Sequence, residues 1–295
     1  MRVNPNSLSD LLAALNQTKL QSQQAELEIA SGRSVNVPSD NPASAALLVE
    51  NNDQATFTGG YLQSLSAVQG QLSTGDSTLS AVVTALQRAI TLGVEGGNGT
   101  LSDADRTAIA VELQGIQNQL VSLGNTEYQG RFIFAGTNTD APPYVLDNTS
   151  PSGVTYVGNT GVNQVSIGSG YKLDINKPGS QLFSAPGSDI FLAVNNLIQA
   201  LQTNTAIPAA VAAVGSASTT LSSQRVFYGN ALNQAQSQTT YLNTAKLQIS
   251  QQENTLGGAD LASAATTLTQ TQIDTQATLA AIGKFSQNNL FDFLK

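Results

Sequence analysis

Carboxylates are the only general acid–base groups this sequence holds in quantity. It has twenty Asp and Glu in 295 residues, and no histidine, cysteine or tryptophan. Two carboxylates can hydrolyse a glycosidic bond, one as acid and the other as base or nucleophile. Without an imidazole or a thiolate, the usual zinc sites, thiol nucleophiles and Ser-His-Asp relays are excluded. The acids, however, stand where helices begin. Asp103 and Asp105 fall in the first turn of one predicted helix, and Asp40 and Asp260 at the starts of two others. Capping and dipole stabilisation are the favoured readings for all four. Gly168-Ser169-Gly170 looks like a phosphate loop, but no Gly-Lys-Ser/Thr follows and its flanks read as strands, so a hairpin turn is expected. The Asp-x-Asp-x-Asp-Gly spacing of a calcium loop is missing. No catalytic residue, metal or cofactor is expected.

Lys and Arg number twelve, are scattered singly, and leave a net charge of −8. Nothing here would grip a phosphate backbone. No run approaches about 18 apolar residues, so no membrane span is expected, and Met1-Arg2-Val3-Asn4-Pro5-Asn6 lacks the apolar centre of a cleavable signal. The least ordinary feature is uncharged: Gln21–Gln24, Gln234–Gln238 and Thr266–Gln272 are runs of amides and hydroxyls. They read either as solvated helix faces or as surface between helices of neighbouring chains, since such groups can be buried once hydrogen-bonded.

Stepping along the chain, Leu8, Leu11, Leu15, Thr18, Ser22, Ala25 and Ile29 recur at three- and four-residue steps, the stripe of a coiled-coil helix. Half of that stripe is small or polar. A buried Leu returns about 1.5–3 kcal/mol while each ordered backbone residue costs about 1–2, so the helix needs a partner. Gly32 suits a left-handed cap, and Pro38-Ser39-Asp40-Asn41-Pro42 restarts a helix with Asn41 or Asp40 as its cap and Pro42 at its first position. That helix heads for Gly59-Gly60, and Leu62 to Ile90 keep helical spacing up to the glycines at 93–99. Ser102 and Asp105 form an acidic capping box for a second, antiparallel helix with Ile109, Leu113, Ile116, Leu120 and Leu123 on one face.

Short alternating runs at Tyr144–Leu146, Val154–Val157, Val165–Ile167 and Tyr171–Ile175 read as strands of a small β domain over residues 137–185. Helices return from Ile190, pause at Pro208 and run on to Gly257-Gly258. A last helix from Asp260 carries Leu261, Ala265, Leu268, Gln272, Leu279, Ile282 and Phe285 in its expected seam. The fold expected is mainly α with a small inserted β domain: an elongated rod with N- and C-terminal helices paired as a coiled coil, a helical hairpin bundle and an outer β domain. Its parts are expected at 1–43, 44–136, 137–185, 186–250 and 251–295. Residues 1–56 have no aromatic side chain, which suits a slender helix pair.

Three stretches together resemble a known family, the bacterial flagellins and flagellar hook-associated proteins. Ile29–Ala43, with Ser31-Gly32-Arg33 leading through Pro38-Ser39-Asp40-Asn41-Pro42, resembles the family's N-terminal loop. Leu101–Arg106 with Glu112-Leu113, Leu120 and Asn125 is similar to its second helix. Asp260–Ala262 through Leu268, Ala277 and Leu279 to Asn289-Leu290-Phe291-Asp292-Phe293-Leu294 is similar to its C-terminal assembly helix. Gly130–Thr137 and the Leu-Phe-Asp-Phe-Leu ending are closer to the hook–filament junction members than to filament flagellin. Asn41 stands where the family more often has Asp.

The resemblance implies a flagellin-like fold and a secreted structural protein without catalysis, exported by the flagellar type III apparatus without a cleaved signal. It would sit between hook-associated protein 1 and flagellin, in a ring of copies, and bind an export chaperone through its C-terminal helix. The assembly interface implied comprises Leu8, Leu11, Leu15, Ile29, Arg33, Pro38, Asp40 and Pro42 at one end. At the other it comprises Leu261, Leu268, Leu279, Ile282, Phe285, Leu290, Phe291 and Leu294. Filament flagellin, a free coiled-coil adaptor and a carboxylate-dependent polysaccharide enzyme centred on residues 137–185 are the alternatives.

Overall fold

The computed structural model describes residues 7–292, with side chains described for residues 9–284. Helix α1, Ser7–Ser31, stops at Gly32, whose φ of +67° is a conformation glycine adopts without strain. Asn41 then caps α2, Pro42–Gly96, its Oδ1 accepting the Ser44 amide at 3.1 Å. The helix runs straight through Gly59-Gly60. It includes an 18-residue window apolar enough to cross a membrane by composition alone, of which 44% is buried within the protein. Helix α3, Asp103–Gly124, opens on the expected capping box: the Asp105 amide donates to Ser102 Oγ and the Ser102 amide to Asp105 Oδ2.

Two-residue strands β1, Glu127–Tyr128, and β2, Arg131–Phe132, follow, joined by Gln129 and Gly130 at φ +53° and +75°. That is the positive-φ pair of a tight hairpin. Strands β3, Tyr144–Leu146, and β4, Val154–Tyr156, pair antiparallel, as do β5, Gln164–Gly168, and β6, Tyr171–Asp174. Gly168-Ser169-Gly170 is indeed a hairpin turn, with Gly170 at φ +72°. Helices α4, Gly179–Leu182, α5, Ile190–Thr203, α6, Ile207–Gly257, and α7, Leu261–Asp292, complete the chain. Pro208 sits in the first turn of α6, where its missing N–H costs nothing.

The described residues divide into a middle unit, 58–243, and a terminal unit, 7–57 with 244–292. Within the middle unit, the Arg88–Glu112 ion pair at 2.7 Å and the Thr78–Thr126 hydrogen bond place α2 and α3 antiparallel. A two-pronged Arg225–Asp76 pair at 2.6 and 2.8 Å, with Gln69 donating to the Thr239 hydroxyl at 3.2 Å, does the same for α2 and α6. Leu65, Leu72, Leu79 and Leu86 of α2, Leu113 and Leu120 of α3, and Val194 and Leu197 of α5 are fully buried in one apolar core. The hairpins do not build a separate core. Tyr144, Val154, Ile167 and Leu173 add their inward sides to the helical one. Tyr144 is seated there among Tyr156, Phe183 and Phe191, with ring centroids 4.9–5.7 Å away. Asn125, just past α3, locks its backbone with bonds of 2.8 and 2.7 Å.

Candidate assembly surface

The terminal unit is built on a different principle. Its helices α1 and α7 lie side by side, and what they turn toward each other is mostly small. From α1 the shielded positions are Leu11, Leu15, Thr18, Ser22, Ala25 and Glu28, and from α7 Ala264, Leu268, Thr271, Thr275, Thr278, Ala281 and Ile282. Ala25, Ala264 and Thr271 are each only 3% exposed. The threonine hydroxyls are spent on their own helices, Thr18 donating to the Ala14 carbonyl at 2.9 Å and Thr275 to that of Thr271 at 2.7 Å. Among the described residues no charge is fully buried in the seam; Glu28 is half-buried and accepts from the Gln24 side-chain amide at 3.2 Å.

On α1 the expected stripe holds from Leu11 to Ala25, while Ile29 is 38% exposed. On α7 the expected seam needs correction. Ala265, Gln272 and Leu279 face solvent, and Ala264, Thr271 and Thr275 take the inner positions. Leucine was expected inside because burial of a lone chain favours it. Beside the inward Leu11, Leu15 and Leu268, other leucines point out: Leu20 is 66% exposed, Leu27 58%, Leu261 52% and Leu279 52%. Ile273 is 55% exposed, while Phe57, the first aromatic in the sequence, is 67% exposed. Each large apolar side chain left in water forgoes about 1.5–3 kcal/mol that a covering surface would return. The amide-rich Gln21, Gln23 and Gln24 also face outward.

Residues 32–41 tie the two ends together. The Ser34 amide donates to the Gly257 carbonyl at 2.8 Å, and the Ala259 amide to the Gly32 carbonyl at 3.0 Å, with Arg33 and Gly258 paired between them. At Gly257 the missing side chain makes room for Leu48 of α2, whose methyl would stand 2.9 Å from a Cβ there. Asp40 does not cap α2, as its position suggested. Its Oδ2 instead accepts the amides of Asn36 and Val37, both at 2.9 Å, and so shapes the loop, while Asn41 is the cap. Asp260 does cap α7, accepting the amides of Ala262 and Ser263. Arg33, Pro38, Asp40 and Pro42 are all exposed. Beside them a cleft of about 380 Å³ is lined by Val35, Val37, Pro38, Leu48 and Val49 among others.

Of the implied interface, Leu11, Leu15, Leu268 and Ile282 serve the internal seam, whereas Leu261, Leu279, Arg33, Pro38, Asp40 and Pro42 lie on the surface. The side chains of Leu8, Phe285, Leu290 and Phe291, and Leu294 altogether, lie outside the described residues. Periodicity alone missed Leu20, Leu27, Leu12 and Ile273, whose signal was the spacing of apolar residues off the seam.

Asp147, Asp105 and Asp189 each hold local structure. Asp147 of the β3–β4 loop accepts from the Thr149 amide and the hydroxyls of Thr149 and Thr155, which holds its carboxyl below the ordinary carboxylate value. The Asp105 carboxyl is likewise lowered by its bonds to Ser102. Burial pushes Asp189 upward, although it caps α5 through the Phe191 and Leu192 amides at 2.9 Å. Among the described residues no three His, Cys, Asp or Glu side chains gather as metal ligands would.

Residues 3–139 match the family model for the bacterial flagellin N-terminal helical region, and residues 211–294 that for the C-terminal helical region. The chain is 34% identical over 190 residues to flagellar hook-associated protein 3 of Salmonella typhimurium and 30% identical over 190 residues to that of Escherichia coli. Each match covers 60% of this chain and 58% of the relative, so it spans little more than half the length of those curated proteins. A solved flagellar hook-associated protein from Vibrio parahaemolyticus has the same fold, with a TM-score of 0.67 at 21% identity, covering 74% of this chain and 99% of that one.

Proposed function

The chain belongs to the bacterial flagellin family, and from that premise we propose that it is the structural subunit joining the flagellar hook to the filament. In this reading it assembles with copies of itself, meets hook-associated protein 1 on one side and flagellin on the other, and performs no catalysis. It leaves the cell through the flagellar type III apparatus, and its C-terminal helix, from Leu261 onward, is what an export chaperone holds beforehand. The likeness to hook-associated protein 3 of two bacteria supports the junction role over that of filament flagellin.

One observation carries the reading: the terminal unit spends alanine and threonine on its own seam and leaves Leu20, Leu27, Leu261 and Leu279 in water. A helix pair arranged this way gains most of its burial from neighbours. Strapping residues 32–41 to Gly257 and Ala259 makes both ends of the chain act as a single contact surface.

The experiment is removal of residues 1–40 or 261–295 in the bacterium that encodes the protein, followed by swimming and secretion assays. A junction subunit so truncated leaves cells non-motile, with flagellin free in the medium. Normal swimming by either truncation would overturn the proposal. A purified chain that grows long filaments from a seed would instead make it filament flagellin.

A further inference from the structure

A cleft in the middle unit is lined entirely by residues of that unit. It measures about 550 Å³, within the range of small-molecule sites. The tight turn at Gln129-Gly130 sets Tyr128 and Arg131 directly opposite each other on β1 and β2, and both line the cleft with Phe132. Tyr128 is seated by a missing side chain, since a Cβ on Gly70 of α2 would fall 2.2 Å from its hydroxyl oxygen. Gln129 donates to that same hydroxyl at 3.4 Å. The far wall is amide and hydroxyl. Asn163 and Gln164 line it with heads fixed by donation to the Gly136 carbonyl at 3.0 Å and to Asp174 at 2.8 Å.

The charge of the cleft runs against that of the chain. In a protein of net charge −8 its lining has Arg131 and no Asp or Glu, Asp174 being bonded behind Gln164 rather than lining it. Arg131 has no ion pair among the described residues. A guanidinium is a two-pronged donor matched to a carboxylate. Amides and hydroxyls exchange hydrogen bonds with hydroxyl groups, and the aromatic rings of Tyr128 and Phe132 offer apolar faces. We propose that this cleft binds a carboxylate-bearing sugar of the uronic acid class, with the carboxylate on Arg131 and the ring against Tyr128.

The test uses the 295-residue chain and two probes with the same sugar backbone, digalacturonic acid and its dimethyl ester, in which each carboxylate is replaced by a neutral methyl ester. Binding is followed by saturation-transfer NMR and calorimetry at low salt. The acid is expected to bind at least tenfold more tightly than the ester. Arg131→Gln should remove that preference, and Tyr128→Ala should weaken both probes, with unchanged circular dichroism for each variant. Equal transfer to acid and ester, or an undiminished preference in Arg131→Gln, would overturn the proposal. So would finding that neither sugar binds while Arg131→Gln alone blocks self-association, because the cleft would then seat a neighbouring copy. Motility of the truncated strains does not enter this test, so the two proposals fail separately.

Discussion

The ring of Tyr228 rests on the bare backbone of Gly75: a Cβ built on that glycine would stand 2.5 Å from Cε1. Tyr228 of α6 is 1% exposed and meets Phe134 and Phe227 edge-on. A glycine inside a helix ordinarily costs about 0.5–1 kcal/mol relative to alanine, so its presence here is explained by the ring it admits. Gly75→Ala should therefore destabilise the middle unit by about 1–3 kcal/mol, as overpacking does. Thermal denaturation should show the midpoint falling by several degrees. A rise would mean the ring moves aside freely.

Leu20→Ser and Leu27→Ser should leave the isolated chain as stable as before, within about 0.5 kcal/mol, since both side chains already face water. Assembly should be lost. Denaturation of the purified protein paired with swimming assays separates the two effects. Ala25→Leu should do the reverse and damage the isolated chain, because a 3% exposed alanine in the seam has no room to grow.

Hydrogen exchange should rank the two units. Amides of α1 and α7 have few large buried side chains above them, so they should exchange well before those of α3 and the 65–92 stretch of α2, which sit over the core. Self-association should slow α1 and α7 alone. Equal protection in a verified monomer would refute the division.

Asp40→Ala should loosen the strap by releasing the amides of Asn36 and Val37. Trypsin should then cut after Arg33 faster than in the parent chain, while cutting after Arg88 is unchanged.

Acid stability should follow two opposite carboxylates. Asp105 has its folded pKa lowered by Ser102, so the stability it lends is complete above the unfolded value of 3.8 and is lost as pH falls through the folded one. Ser102→Ala should cost about 1 kcal/mol at neutral pH and flatten the loss of stability below pH 4. Asp189 has its folded pKa raised by burial, so its charge opposes folding at neutral pH and that opposition vanishes on acidification. Asp189→Asn keeps the capping oxygen and should raise the denaturation midpoint at pH 7 more than at pH 3.

Much of the fold was legible because local chemistry decided it. Ser102 and Asp105, Asn41 before Pro42, and Gly32 each mark a helix end by a mechanism that works within a few residues. The α1 stripe was readable because Leu11 and Leu15 are inward apolar positions. On α7 the same rule misplaced the seam by a residue, since it assumes that leucine seeks its own chain's interior. Leu261 and Leu279 do not, each being about half exposed. The β1–β2 hairpin escaped notice because two residues per strand carry no alternation and Gln129-Gly130 is not the usual Asn-Gly. That the strands share the helical core depends on long-range neighbours such as Tyr144 and Phe191, which no local pattern encodes.

In the half of the α1–α7 seam nearer residues 32–34, from Thr18 to Ala25 and from Ala264 to Thr275, Leu268 is the one large apolar side chain among the described shielded positions, while Leu11, Leu15 and Ile282 lie in the other half. Small residues specify a register less sharply than large ones do. Two backbone bonds, Ser34 to Gly257 and Gly32 to Ala259, add a fixed axial setting at the small-residue end. Those few atoms act as a detent, and a change there would be felt along the pair.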